Sequence, residues 1–237
     1  MVIKDLNPRS FGTHDGSFHA DEVTACGLLL LFQLIDREKI VRSRDPSLLE
    51  RCEYVCDVGG VYDPAQKRFD HHQISYQGDL SSAGMILLYL REIGKIDHPT
   101  YDFFNRSLIL GVDAHDTGHV TTPTGVCTFS HVIANFVPVQ YDAPEELQNR
   151  AFFQALDFVL GHLSRLLERY RYILACKAKV EEVMQEKLPY LLFEKAIPWQ
   201  ESFFELGGEK HPALFVIMPS GNSWKLRAIP PSLEERM

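Results

Sequence analysis

Tyr54-Val55-Cys56-Asp57-Val58-Gly59-Gly60 reads as a strand that is apolar nearly throughout and closes on a carboxylate and two glycines. An almost unbroken apolar run is what a strand covered on both faces requires, and such strands belong to parallel sheets. Working outward, Ser10 to Thr13 and Lys39 to Arg42 read as further strands. Arg68-Phe69 is a short strand delivering Asp70-His71-His72. Ala20 to Ile35 has Leu28, Leu29, Leu31, Phe32 and Ile35 on one wide face and reads as a helix. Ser81 or Ser82 caps another helix through Leu90, and Tyr101 to Gly111 reads as a third. Strands alternating with helices predict an α/β fold with a mostly parallel sheet flanked by helices. Ligands of such sheets bind outside the carboxyl ends of the strands. The His/Asp clusters of this chain lie there.

Beyond this region, Glu145 to Glu186 is helical in pattern, with Phe152, Phe153, Leu156, Val159, Leu160, Leu163, Leu166 and Leu167 at helical spacings. Its length predicts a break near Arg171 to Lys177. Three strand candidates follow, at Phe203 to Leu206, Ala213 to Met218 and Trp224 to Ile229. Pro219-Ser220-Gly221-Asn222 turns between the last two, giving a hairpin in a small antiparallel unit. The expected organisation is a metal-binding domain over 1–142, a helical connector over 143–190 and a small C-terminal α+β unit over 191–237.

The chain has 237 residues, 45% apolar and 24% charged, which suits a globular protein with a real core. No apolar run reaches the roughly 18 residues of a membrane span. Met1 to Asp5 lacks a leader pattern, so a cytoplasmic protein with no membrane partner is expected. Five cysteines lack a paired zinc spacing and read as buried thiols in a reducing compartment. The net charge of −8 disfavours wrapping a nucleic-acid duplex. A short nucleic-acid end entering a metal site remains compatible, because bound cations reverse the local sign.

Four short His/Asp clusters carry the chemistry, since carboxylates and neutral imidazoles are the usual ligands of Mn²⁺, Mg²⁺ and Zn²⁺. His14, His19 and Asp21 sit in one strand-to-helix loop, and the two-residue spacing of His19 and Asp21 makes them natural co-ligands. Taken alone, His19 to Glu22 reads more simply as a helix start with Asp21 as its cap. Asp57 ends a buried strand, where an unpaired carboxylate costs several kcal/mol; it is the expected bridge between two cations about 3.5–4 Å apart. Adjacent histidines on an extended segment face opposite ways. Hence His71 is the expected ligand and His72 the group that meets substrate, with Asp70 orienting an imidazole or amide. Asp113 and Asp116 compete for the last ligand position, with Asp113 favoured. His115, His119 and His131 read as neighbours and not ligands. Lys67, Arg68, Ser81 and Ser82 are candidates for holding substrate phosphates. The expected reaction is phosphoester hydrolysis by a hydroxide bridging two cations.

With these residues together, the chain resembles the DHH phosphoesterase superfamily, and within it the Myg family of metal-dependent hydrolases. The resemblance rests on six ordered motifs: Thr13 to Glu22, Arg42 to Pro46, Asp57 to Pro64, Asp70 to Gln73, Ser81 to Gly84 and Asp113 to Gly118. It implies a two-cation phosphodiesterase, Mn²⁺ first with Mg²⁺ or Zn²⁺ as alternatives, with 3′-to-5′ exonuclease action on RNA. It implies His14, His19, Asp21, Asp57, His71 and Asp113 as ligands, with His72 as the second signature histidine. Two features depart from the pattern. Asp15 stands where the family has Asn, and His19 stands where the wider superfamily has Asp. The family also continues into a Gly-rich stretch beyond Met237, so the last unit reads as incomplete. The implied partner is a short RNA or oligonucleotide. The alternatives are a small phosphorylated substrate such as pyrophosphate, a dinucleotide or a nucleotide, or metal binding without turnover. The edge strands of the hairpin leave room for a homodimer.

Overall fold

The computed structural model describes residues 6–140 and 142–235. The reading of Met1 to Asp5 lies outside the described residues. The chain divides into two compact units, Met1–Arg165 and Leu166–Met237.

In the first unit β1 (Phe11–Thr13), α1 (Ala20–Leu31), β2 (Ile40–Arg42), α2 (Pro46–Leu49), β3 (Tyr54–Cys56), β4 (Tyr62–Asp63) and β5 (Arg68–Phe69) follow in order. The sheet order is β2-β1-β3-β5-β4. β2, β1, β3 and β5 are parallel, and β4 closes the edge antiparallel to β5. One face packs Val41 and Val55 against Leu6, Leu49 and Cys52. On the other, the Tyr89 ring lies edge-on to Tyr54 and Phe69, with centroids 6.1 and 5.1 Å away. The sheet is thus covered on both sides, as the apolar β3 sequence requires. Helix α1 stops at Leu31, short of the expected Ile35. Gln33 adopts φ +58° and Leu34 N–H bonds back to Leu29 O at 2.9 Å, so the backbone turns off in a Schellman-type cap. Ile35 stays buried after the turn.

Further α-helices belong to this unit. They are α3 (Ser82–Glu92), α4 (His98–Phe104), α5 (Leu110–Asp116) and α6 (Phe129–Ala134). Helix α1 packs on α3, and both pack on α5. The Asp97 side chain caps α4 by accepting Thr100 N–H at 2.9 Å. A π turn at Asn105–Ile109 joins α4 to α5, the kind of bulge that recurs beside functional sites.

Helix α7 is one element, Glu145–Gln185, without the expected break. No proline falls between Pro144 and Pro189, and apolar residues keep helical spacing throughout. The boundary between the two units lies within it.

The second unit contains β6 (Tyr190–Leu192), α8 (Gln200–Glu205), β7 (Phe215–Ser220) and β8 (Ser223–Ala228). β7 and β8 form the expected antiparallel hairpin, turning at Gly221-Asn222, while β6 adds in parallel beside β7. Phe203 to Leu206 is not a strand. Phe203 N–H bonds Trp199 O at 2.8 Å, and its ring packs among Val180, Leu191 and Val216. A four-residue apolar run fits either periodicity, and burial under the sheet decided for the helix.

Candidate metal centre

Parallel strands β1, β3 and β5 lie side by side, so the residues that leave their carboxyl ends emerge together. β1 delivers His14, β3 delivers Asp57 and β5 delivers Asp70, His71 and His72. The first turn of α1 adds Asp21 and Glu22, and the end of α5 adds Asp116. Asp57 adopts a left-handed conformation, φ +58°, while its N–H bonds Phe69 O at 3.0 Å. Such a backbone is uncommon outside glycine, though Asp tolerates it, and it clusters at functional sites. It sets the carboxylate between two imidazoles. His14 Nε2 lies 3.3 Å from Asp57 Oδ2, and His71 Nε2 lies 3.3 Å from Oδ1.

Two four-residue groups with mutually close ligand atoms share Asp57. One is His14, His19, Glu22 and Asp57; the other is Asp21, Asp57, His71 and Asp116. A third set joins Asp57, His71 and His72. His19 and Asp21 therefore fall in different groups. His19, not Asp21, is the cap residue of α1, and the following helical turn swings Asp21 away. His71 and His72 also do not face opposite ways. The chain leaves β5 after Phe69 and curls, bringing their ring centroids to 4.3 Å and His72 Nδ1 to 3.3 Å from Asp57 Oδ1. Asp70 accepts from His72 N–H at 3.1 Å and Gly60 N–H at 2.5 Å, and its Oδ1 lies 2.8 Å from His72 Nδ1.

Of the two aspartates, Asp116 is the one that joins a group. Its Oδ2 lies 3.0 Å from His71 Nε2. Asp113 is in none of the groups; its Oδ1 takes Ser81 N–H at 3.1 Å, Gly84 N–H at 3.1 Å and Ser81 Oγ at 2.6 Å. The two aspartates stand three positions apart on α5; Asp113 meets the start of α3 and Asp116 meets His71. Ser81 and Ser82 hold no space for phosphate. Both are fully buried, and the start of α3 clamps Asp21 instead, through Ser81 Oγ at 2.6 Å, Ser82 N–H at 3.0 Å and Ala83 N–H at 2.5 Å. Lys67 and Arg68 stand at the amino end of β5, away from its carboxyl end. Lys67 pairs with Glu53, and Arg68 donates to the Cys52, Glu53 and Lys67 carbonyls. His115 stacks edge-on to His131 at 5.2 Å, and His119 bonds Thr117; none joins a group.

Glu22 was missed by the sequence reading. It is fully buried, with Oε1 3.2 Å from His14 Nε2 and 2.9 Å from the His19 N–H it accepts. The available signal was the His19-x-x-Glu22 spacing, which puts both on one helix face.

The arrangement suits divalent cations. Asp57 Oδ1, His71 Nε2 and Glu22 Oε2 are buried yet lack an aligned hydrogen bond, although other polar atoms stand within 4 Å of the first two. Buried polar atoms without partners are rare. Burial, then the Asp57 and Asp116 charges, push the Asp21 carboxyl well above its usual range. Burial depresses the His14 and His71 imidazoles. The carboxylates that face them, Asp57 and Glu22 at His14 and Asp116 and Asp57 at His71, favour the charged imidazole, outweigh burial and carry both to about 10. Burial also opposes ionisation of Asp57, but the two imidazoles hold it well below the usual carboxylate range. The acids and imidazoles are thus satisfied by protons when no cation neutralises the acids.

The sign of the pH dependence follows. Protons bound more tightly in the folded state make stability fall as pH rises. The contribution of His14 and His71 is complete below 6.5 and disappears toward 10; Asp21 acts in the same direction above its ordinary range. Asp57 contributes oppositely, but only in acid. With EDTA, the Tm should fall between pH 6.5 and 9, and saturating Mn²⁺ should remove most of that fall. Differential scanning calorimetry at matched ionic strength checks this; a flat metal-free profile would contradict the assigned ion pairs.

A second expectation separates the two aspartates. Asp116→Asn should weaken Mn²⁺ binding roughly 10- to 100-fold, whereas Asp113→Asn should lower Tm with a much smaller change in affinity. Calorimetric Mn²⁺ titration of both variants reads the difference.

A cavity of about 630 Å³ opens over this centre, lined by His14, Asp15, Gly16, Ser17, His19, Arg44, Asp57, Val58, Gly59, Gly60, Asp70 and His72.

The family described as MYG1_exonuc, Uncharacterised protein family (UPF0160), matches residues 10–236. A MYG1 protein of Chlamydia pneumoniae is 53% identical, covering 97% of this chain and 79% of its own length. The human MYG1 exonuclease is 30% identical, covering 96% of this chain and 71% of its own. The MYG1 protein of Schizosaccharomyces pombe is 29% identical, covering 92% and 78%. No solved structure matches the chain. With its matched region running from the start of β1 into the C-terminal tail, the chain belongs to the MYG1 exonuclease family.

Proposed function

We propose that this protein is a divalent-cation-dependent phosphodiesterase that removes nucleotides from the 3′ end of short RNA, using two cations. The observation that carries the reading is Asp57, shared by every group of potential ligands and held between His14 and His71. The name of the human relative, an exonuclease, supports the same reaction class. His14, His19, Glu22 and Asp57 would hold one cation, and Asp21, Asp57, His71 and Asp116 the other. Bound there, cations of the Mn²⁺ or Mg²⁺ type supply charge that acidifies water and offsets the negative phosphoryl oxygens.

The residues of this chain do the rest. The α3 amide groups and Ser81 keep Asp21 in place, so its carboxylate does not reorganise when charge develops. Asp70 orients His72 through Nδ1, which leaves Nε2 to face a phosphoryl oxygen or a leaving oxygen. The His72 side chain is 62% accessible, whereas His14 and His71 are nearly covered, so His72 is placed to meet substrate. Five free cysteines suit a cytoplasmic setting. Among the described residues, no helix is long and apolar enough to cross a membrane.

The net charge of −8 and, among the described residues, a single arginine at the cavity favour a second reading, a small phosphorylated substrate such as a dinucleotide or pyrophosphate. A 5′-labelled RNA oligomer, a dinucleotide and pyrophosphate, each with Mn²⁺, Mg²⁺ and Zn²⁺, test both. Stepwise shortening of the labelled oligomer from its 3′ end is expected. Turnover of pyrophosphate alone would favour the second reading, and cation binding with no turnover would reject both.

A further inference from the structure

Resting on the phosphodiesterase reading, we infer that Arg44 forms a second anion subsite that selects substrates carrying a further phosphate beside the reacting one, and that Asp15 occupies this subsite until such a substrate displaces it. Among the described residues, Arg44 is the one Lys or Arg lining the cavity. It leaves the carboxyl end of β2, beside the β1–α1 loop that carries His14. Its backbone is pinned on both sides: Ser43 N–H donates to Thr13 O at 2.8 Å, and Asp45 caps α2 by accepting Ser47 N–H at 2.9 Å. The side chain itself is 63% exposed, and Nε lies 3.2 Å from Asp15 Oδ1. The neighbouring Arg42 has a different task. It is buried against Phe18 and Phe152 and donates to Gly16 O and Asn149 Oδ1, which anchors the loop.

Three physical points make Arg44 a phosphate receiver. Exposed ion pairs contribute little, so Asp15 gives up the guanidinium at small cost. A guanidinium fork binds a phosphate through two parallel hydrogen bonds, a stronger contact than a single carboxylate oxygen at 3.2 Å. Finally, Gly59 and Gly60 line the same cavity with positive φ, +99° and +68°, and a Cβ at either would meet nothing within 4 Å. The rim is therefore low where a nucleotide has to pass, and the cavity's volume suits a ligand of nucleotide size.

The test compares two dinucleotides that share one scissile linkage: pApA, with a 5′-phosphate, and ApA, without it. Binding is read by calorimetry on protein loaded with Ca²⁺, and turnover separately with Mn²⁺. Arg44→Ala should weaken pApA binding about tenfold and leave ApA within about twofold. Arg44→Lys should recover part of the loss, as a point charge without the fork. Asp15→Asn should tighten pApA several-fold in the wild-type background and have no effect in Arg44→Ala, because its influence runs through the arginine. Equal losses on both ligands, or none, would overturn the subsite. An equal gain from Asp15→Asn with and without Arg44 would overturn the competition. If neither dinucleotide turns over while the Arg44-dependent binding difference persists, the subsite stands and the phosphodiesterase reading falls.

Discussion

Asp57→Asn should lower Mn²⁺-dependent turnover roughly 10³-fold or more while leaving the far-ultraviolet circular dichroism spectrum unchanged. The substitution keeps size and shape, and Asn tolerates the left-handed backbone that Asp57 adopts. What changes is chemistry. An amide offers one neutral oxygen where the carboxylate offers two charged ones, and its NH₂ would point at an imidazole nitrogen. Asp57 belongs to all three groups of potential ligands, so both proposed cation positions would lose a ligand at once. A variant that keeps Mn²⁺-dependent activity within tenfold of wild type would remove Asp57 from the centre of the mechanism.

Gly84→Ala should destabilise the protein by about 2–3 kcal/mol, because an added Cβ overpacks a filled site. That Cβ would stand 2.3 Å from Asp113 Oδ2 and 2.7 Å from Oδ1, while the glycine N–H is itself one of the donors that hold the carboxylate. Neither side can yield easily. Gly84 is in the first turn of α3, whose amides also clamp Asp21, and Asp113 is fixed by Ser81. For a chain of this length the Tm should fall by roughly 5–10 °C in EDTA. The cost should shrink when Asp113 is also replaced by Ala, since the clash is then gone. A Gly84→Ala Tm within 1 °C of wild type would show that α3 and α5 separate freely at this contact.

The parallel sheet was readable from β3 because burial on both faces leaves a composition signal that does not depend on neighbours. The cluster residues at strand ends were readable for the same reason: a carboxylate such as Asp57 has no business ending an apolar strand without a partner. Other features were not readable. Whether Asp113 or Asp116 faces His71 depends on the rotation of α5, which the π turn at Asn105–Ile109 helps set; no local pattern announces that turn. The role of Ser81 and Ser82 depends on α3 packing against α1, a contact between residues about sixty positions apart, so a helix start that looks ready for an anion is already filled by Asp21. Lys67 and Arg68 lie next to Asp70 in sequence, but a two-residue strand is enough to carry them to the opposite end of the sheet. Arg44, more distant in sequence from His72, shares its cavity. Periodicity likewise could not tell α8 from a strand, because four residues are too few to show a period.

The most direct measurement is the Mn²⁺ content of the purified protein, by metal analysis together with electron paramagnetic resonance. Two ions per chain with a spin-coupled signal are expected, as for ions about 3.5–4 Å apart on a shared carboxylate, and both ions should be lost or uncoupled in Asp57→Asn. A single uncoupled ion in the wild type, or a coupled pair that survives Asp57→Asn, would contradict a centre built on that residue.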